Sequence, residues 1–133
     1  MNIVIPNGTV YLSGIDKYSK ESEYGHFEEG VLVTINDKNY LFLCDPVDGY
    51  RSYGIVREVE EKPKFTFPPQ PLIASNTRFV IPEESGYEQE FEYLVLINTK
   101  GQVVFKVGTD YTDDYYPQAI WEYHPELLPI NQK

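Results

Sequence analysis

Two short stretches of this sequence concentrate acids and tyrosines. The first corner, residues 45–53, reads DPVDGYRSY, and the second corner, residues 110–116, reads DYTDDYY. Carboxylates bind Ca²⁺ or Mg²⁺, an arginine binds a carboxylate or phosphate through two hydrogen bonds, and tyrosine suits recognition surfaces. The candidate binding residues are Asp45, Asp48, Tyr50, Arg51, Tyr53, Asp110, Asp113, Asp114, Tyr115 and Tyr116.

Both corners also have the composition of ordinary turns. Asp and Gly favour tight turns, in which an Asp side chain commonly accepts a hydrogen bond from a nearby backbone N–H. Arg51 is able to pair with an acid of either corner, and the two corners are predicted as halves of one possible shared site. The spacing of the acids does not match the Asp-x-Asp-x-Asp-Gly calcium loop. We therefore predict no bound metal or cofactor, and we keep a hydrogen-bonded structural turn as the alternative to a binding site.

Catalytic motifs are absent from the sequence. It contains no glycine-rich phosphate loop, no paired cysteines, no His-Glu-x-x-His and no Gly-x-Ser-x-Gly. Two histidines and one cysteine are too few for a His- or Cys-rich zinc site. Cys44 lies in the apolar run 40–44, which predicts a buried thiol rather than a reactive one. The pattern favours a non-catalytic protein, and a metal-dependent enzyme using the Asp clusters is the alternative.

Charge restricts the choice of partner. Twenty-one acidic residues against 11 basic ones give a net charge of −10, which opposes direct binding to nucleic acid. Such a surface suits either plain solubility or a basic protein partner such as a nuclease. The sequence shows no signal peptide and no apolar stretch near the roughly 20 residues that cross a bilayer. We therefore expect a soluble, cytoplasmic protein without a membrane partner.

Alternating apolar residues indicate β-hairpins and little helix. The predicted strands are 31–35, 40–44, 53–59, 77–81, 91–97, 103–107 and 119–123, and residues 125–128 form at most one helical turn. A chain of 133 residues corresponds to one domain. We predict a single mainly β domain over residues 1–133, with about six to eight strands in a bent antiparallel sheet or partly open barrel.

Three further segments complete the prediction. Residues 3–12 contain short β-type runs around the turn signal at Pro6-Asn7-Gly8 and predict a hairpin or a strand followed by a short cap. Residues 16–28 are polar without a sustained period and predict a loop. Residues 60–76 contain four prolines and predict a stiff extended connection, with Phe65 and Phe67 packed beneath it.

The blocks DPVDGYRS (residues 45–52) and GTDYTDDYYP (residues 108–117) resemble strings in small uncharacterised proteins of bacterial viruses and prophages. The resemblance covers residues 30–126 and implies a phage or mobile-element origin, with the host cytoplasm as location, but no activity. We therefore predict a non-catalytic binding protein that engages a host protein or sequesters a small ligand, counter-defence being one such role. A structural or assembly component is a further alternative, and the oligomeric state is not predicted.

Overall fold

The computed structural model describes residues 5–21, 27–45, 53–82, 88–113 and 115–128. They form one open sheet of eight antiparallel strands, which confirms the predicted mainly β fold. The strands are β1 (Gly8–Glu21), β2 (Phe27–Ile35), β3 (Lys38–Asp45), β4 (Tyr53–Glu58), β5 (Phe65–Pro82), β6 (Glu88–Ile97), β7 (Val103–Asp110) and β8 (Gln118–Tyr123). One turn of 3₁₀ helix follows at Pro125–Leu127, as predicted. The described residues contain no helix of the length and hydropathy that a membrane crossing requires.

The strand order across the sheet is β4-β3-β2-β1-β5-β6-β7-β8. All sequential strands are neighbours except β4 and β5, so residues 59–64 must cross from one edge of the sheet to its middle. Val59 donates its N–H to the Asn39 carbonyl at 2.9 Å, and Lys64 donates its N–H to Asp16 Oδ2 at 3.2 Å. Buried Pro63 lies beside Gly14. These contacts confirm a crossing connection, but only over its first part.

The prediction that residues 65–76 belong to this connection was wrong, because they lie in the long strand β5. The ladder between β1 and β5 shifts register between Leu12 and Gly14, which pair with Gln70 and Thr66. Pro68 and Pro69 fall within that irregularity, where a missing N–H interrupts no regular pair. Phe67 packs against the core as predicted. Phe65 does not, since it is 56% exposed.

The loop predicted for residues 16–28 was also wrong in part. β1 continues to Glu21 and β2 begins at Phe27, with the register running from Asp16 opposite Leu32 to Glu21 opposite Phe27. The pairing begins opposite the apolar residues Leu32 and Val31 of β2, and the polar sequence of this part of β1 carries no local sign of it. Near the N-terminus, β1 begins at Gly8, after buried Ile5. Because residues 3 and 4 lie outside the described ranges, the hairpin and the strand followed by a short cap both stay predictions.

One face of the sheet forms the main core. Phe42 and Phe105, from opposite halves of the sheet, meet edge to face with their ring centroids 5.6 Å apart. On β6, burial deepens from half-buried Glu92 to fully buried Leu94 and Leu96. The largest fully buried side chains include Phe42, Phe105, Ile5, Leu12, Ile35, Leu72, Leu94 and Leu96. A smaller cluster on the opposite face joins Leu32, Leu41 and Leu43.

The sheet bends so that β3 and β4, at one edge, pack against β7 and β8, at the other edge. When the paired residues are followed from strand to strand, Gly54 of β4 aligns with Ser19, near the end of β1. Gly108 of β7 aligns with Thr77 of β5, which lies beyond the residue that pairs with the start of β1. Nevertheless β4 contacts β7 and β8. A Cβ added to Gly54 would lie 2.1 Å from the Gly108 carbonyl oxygen, so the two backbones touch. Within the described ladders β4 and β8 are not paired to each other, which leaves the sheet open.

Candidate ligand-binding groove

The second corner is a hydrogen-bonded turn in the part that the structure describes. Asp110 Oδ1 accepts hydrogen bonds from the N–H of Thr112 at 2.9 Å and from its hydroxyl at 2.5 Å. Asp113 Oδ1 accepts the N–H of Tyr115 at 2.9 Å and of Tyr116 at 3.2 Å. These are Asx-type bonds that stabilise the local turn. One oxygen of each carboxylate is therefore directed at its own backbone.

The first corner lies mostly outside the described ranges, which exclude Asp48, Tyr50 and Arg51, and Asp114 of the second corner lies outside them too. Asp45 ends β3 and pairs through its backbone with half-exposed Tyr53, the first residue of β4.

The strand ends that carry the two corners lie side by side. Gly54, which follows Tyr53, donates its N–H to Thr109 Oγ1 at 3.0 Å, and Thr109 precedes Asp110. Thr109 is only 2% exposed, so this hydrogen bond is shielded from water. The two corners were predicted as halves of one possible site. The structure brings together the two strand ends from which the corners extend.

A groove of about 440 Å³ opens next to this junction, between strands β1 to β3 on one side and β8 on the other. Its volume falls in the range of roughly 300–1,000 Å³ that is usual for small-ligand sites. The residues that give the groove its chemistry are Lys17, Glu29, Val31, Cys44, Trp121 and Tyr123. Cys44 is half-buried and lines this groove, although the sequence predicted a buried thiol.

Two aromatic rings form the β8 wall of the groove. Trp121 and Tyr123 alternate with Glu122 and share one face of the strand, and their rings stack at 30° with centroids 6.4 Å apart. Tyr123 also packs on Phe105, with ring centroids 5.4 Å apart, which connects the wall to the core. Burial, and secondarily the Glu126 carboxylate, raises the pKa of Tyr123. The wall is therefore apolar, preorganised and neutral at physiological pH.

The opposite wall carries two exposed charges of opposite sign. Lys17 pairs with Val31 across β1 and β2, and Glu29 lies two residues before Val31, so both charged residues share the face that buries Val31. In the part of the chain that the structure describes, neither the Lys17 ammonium nor the Glu29 carboxylate forms an ion pair or a hydrogen bond. The groove thus has an aromatic wall and a rim with one charge of each sign.

Sequence reasoning missed these groove residues for two reasons. Lys17 lies in the polar segment that was predicted to be a loop, and Glu29 directly follows it. Trp121 was recognised only as part of the last strand. Trp121 is the single tryptophan of the chain, and on its short strand Trp121 and Tyr123 lie on one face with Glu122 on the other. This pattern was the one available signal of an aromatic surface.

Within the described ranges, no three His, Cys, Asp or Glu side chains are grouped closely enough to hold a metal ion. Comparisons with models of protein families, with curated proteins and with solved structures found no match to this chain.

Proposed function

We propose that this protein is a non-catalytic binding protein that holds a small ligand bearing an aromatic ring in the groove between β1–β3 and β8. One observation carries the proposal, which is the stacked pair of Trp121 and Tyr123 exposed to a concave space of about 440 Å³. Aromatic rings stack on each other in offset arrangements and contribute about 0.5–1.5 kcal/mol beyond the area they bury. Such a wall selects flat, apolar ring systems.

The rigidity of the groove supports binding without a large ordering cost. Tyr123 packs on Phe105, and Phe105 packs on Phe42 in the centre of the core. The two sides of the groove are held together next to it by the Gly54–Thr109 hydrogen bond. A preorganised site loses little conformational entropy when the ligand binds.

We further propose that the protein acts by sequestering its ligand in a host cell, as a phage or mobile-element protein. The resemblance of residues 45–52 and 108–117 to proteins of bacterial viruses and prophages supports this role. Sequestration needs affinity and no catalytic group. It is consistent with the groove chemistry, because the Tyr123 phenol, with its raised pKa, is a poor general base at neutral pH.

Native mass spectrometry of protein purified from host cells tests the proposal. Wild type is expected to retain a small molecule, and Trp121→Ala is expected to lose it. Phe65→Ala is the matched control, since Phe65 is an exposed aromatic residue that does not line the groove. The fluorescence of Trp121, the single tryptophan, gives a second readout with the low-molecular-weight fraction of a host extract. No retained molecule together with unchanged fluorescence would contradict small-ligand binding.

A second candidate function is docking of a basic host protein at the second corner. Tyr115 and Tyr116 are 71% and 46% exposed, with their ring centroids 5.9 Å apart, and the chain has a net charge of −10. Exposed tyrosines on an acidic protein are typical of recognition by complementary charge. A host protein retained by wild type and by Phe65→Ser, but lost at high salt and by Tyr115→Ser/Tyr116→Ser, would favour this function. Retention by the double variant would exclude this corner.

A further inference from the structure

We propose that the ligand of the groove is an aromatic zwitterion of the amino-acid type, with no net charge. This inference depends on the proposed small-ligand function and specifies the substrate class of the same site. The ring would stack on Trp121 and Tyr123, the anionic group of the ligand would face Lys17, and its cationic group would face Glu29.

The placement of the two rim charges carries the inference. Lys17 is opposite Val31, and Glu29 is opposite Ser19, which makes Lys17 and Glu29 diagonal neighbours on adjacent antiparallel strands. The Cβ atoms of such diagonal pairs are about 7–8 Å apart or somewhat less, within reach of two long side chains. No ion pair joins them within the described ranges. A ligand with an ammonium and a carboxylate on one carbon would contact both.

Ligands with a single charge fit this rim less well. An anionic ligand attracted by Lys17 would place its charge near the Glu29 carboxylate, and a cationic ligand attracted by Glu29 would meet the Lys17 ammonium. Discrimination between ligands commonly depends on such repulsive contacts. The net charge of −10 further disfavours a purely anionic ligand at long range. A zwitterion satisfies both rim charges and has no net repulsion from the protein.

The exposure of Lys17 and Glu29 limits the expected size of the effect. Ion pairs with exposed side chains stabilise a complex only modestly, and each is expected to raise the affinity by at most about two- to fivefold. The aromatic wall would therefore supply most of the affinity, and the two charges would supply the selectivity.

Four probes that share a phenyl ring separate these contributions. L-phenylalanine carries both charges, phenethylamine carries the cation alone, 3-phenylpropionate carries the anion alone, and 2-phenylethanol carries neither. Titration of each probe against the fluorescence of Trp121 is expected to give the tightest binding for L-phenylalanine, by about two- to fivefold over each probe with one charge.

Two variants assign the charges. Lys17→Met should weaken the binding of L-phenylalanine and of 3-phenylpropionate about two- to fivefold, without weakening the binding of phenethylamine. Glu29→Gln should weaken the binding of L-phenylalanine and of phenethylamine by a similar factor, without weakening the binding of 3-phenylpropionate. Lys20→Met and Glu28→Gln are matched controls on the same strands, because their side chains lie on the opposite face of the sheet.

The outcomes distinguish this inference from the proposed function. Equal binding of all four probes would overturn the zwitterion and leave an aromatic groove. Tighter binding of either probe with one charge would overturn it as well. If no probe binds while native protein retains a molecule that depends on Trp121, only the ligand class is wrong. If no probe binds and no molecule is retained, both proposals fail.

Discussion

The second corner and the groove lie next to each other and use their charged side chains in opposite ways. At the corner, Asp110 and Asp113 accept hydrogen bonds from their own turn, and the aromatic rings of Tyr115 and Tyr116 project into solvent. At the groove, the rings are half-buried against the core and the rim charges are free of described ion pairs. Dense acids along a chain can thus specify a turn, whereas a concave site is assembled from dispersed residues.

The physical reason for the difference is the distance between the partners along the chain. An Asx turn is closed by residues two or three positions apart, so it forms wherever the local sequence permits it. The groove needs residues from β1, β2, β3 and β8, which meet only because the sheet bends. The comparison therefore predicts that the groove, but not the corner, is sensitive to substitutions at the contact between β4 and β7.

The largest effect is expected for Gly54→Ala, which breaks the contact that forms the groove. The new Cβ would lie 2.1 Å from the Gly108 carbonyl oxygen, so the two strands must separate. We expect the free energy of unfolding to fall by about 3 kcal/mol or more in chemical denaturation. Gly14→Ala is the control, because its nearest new contact is the Thr34 hydroxyl at 3.0 Å. Equal stability of the two variants would mean that β4 does not touch β7 in solution.

Trp121→Ala is expected to have the next largest effect, on ligand binding, and it also removes the packing of Trp121 against the core. Loss of the stacking surface should lower the affinity for the bound molecule about tenfold or more in a calorimetric titration, since aromatic anchors dominate the energy of binding. Tyr116→Ala, at the neighbouring corner, should leave this affinity within about twofold. A result in which Tyr116→Ala weakens binding more than Trp121→Ala would move the ligand site from the groove to the corner.

A smaller effect is expected for the carboxylates of the corner. Asp110→Ala and Asp113→Ala should each reduce the free energy of unfolding by about 1 kcal/mol, because each removes the acceptor of the turn. The Asn variants should retain most of the stability, since an amide oxygen also accepts these bonds.

A metal site at the second corner would give a different pattern of stability. Added Mg²⁺ or Ca²⁺ would then raise the melting temperature of wild type but not of Asp113→Asn. That outcome would contradict the turn interpretation and revive the metal-dependent enzyme.

The smallest effect concerns alkaline pH and the phenols of Tyr40 and Tyr123, which both lie on the core face of the sheet. Burial raises the pKa of Tyr40 and of Tyr123, with Glu58 and Glu126 as secondary causes. The unfolded chain would then lose its phenol protons first, near the ordinary value of 10.0. Stability should be unaffected below that pH and should fall as pH rises above it. Denaturation curves at pH 9 and at about pH 11 check this, and Tyr123→Phe should reduce the difference.

Local patterns predicted those elements whose partners are close in sequence. Residues 31–35 alternate and residues 40–44 form an apolar run after a polar turn, and the structure forms β2 and β3 there, with positive φ at Asn36 and Asp37. The proline segment was mispredicted because its ladder partner, β1, lies far away in the chain. Lys17 and Glu29 were not recognised for a different reason: their partners across β1 and β2 are near in sequence, but the polar residues around them show no strand period of their own.

The sequence by itself indicated that this chain forms hairpins, carries a net negative charge and has the composition of a turn at residues 110–116. These properties depend on side-chain alternation, net charge and turn chemistry, which act over a few residues. Only the tertiary structure decided that Gly54 meets Gly108 and that Trp121 faces Lys17 and Glu29 across a groove. Bending and twisting accumulate across eight strands, so the meeting of the two ends depends on the whole sheet.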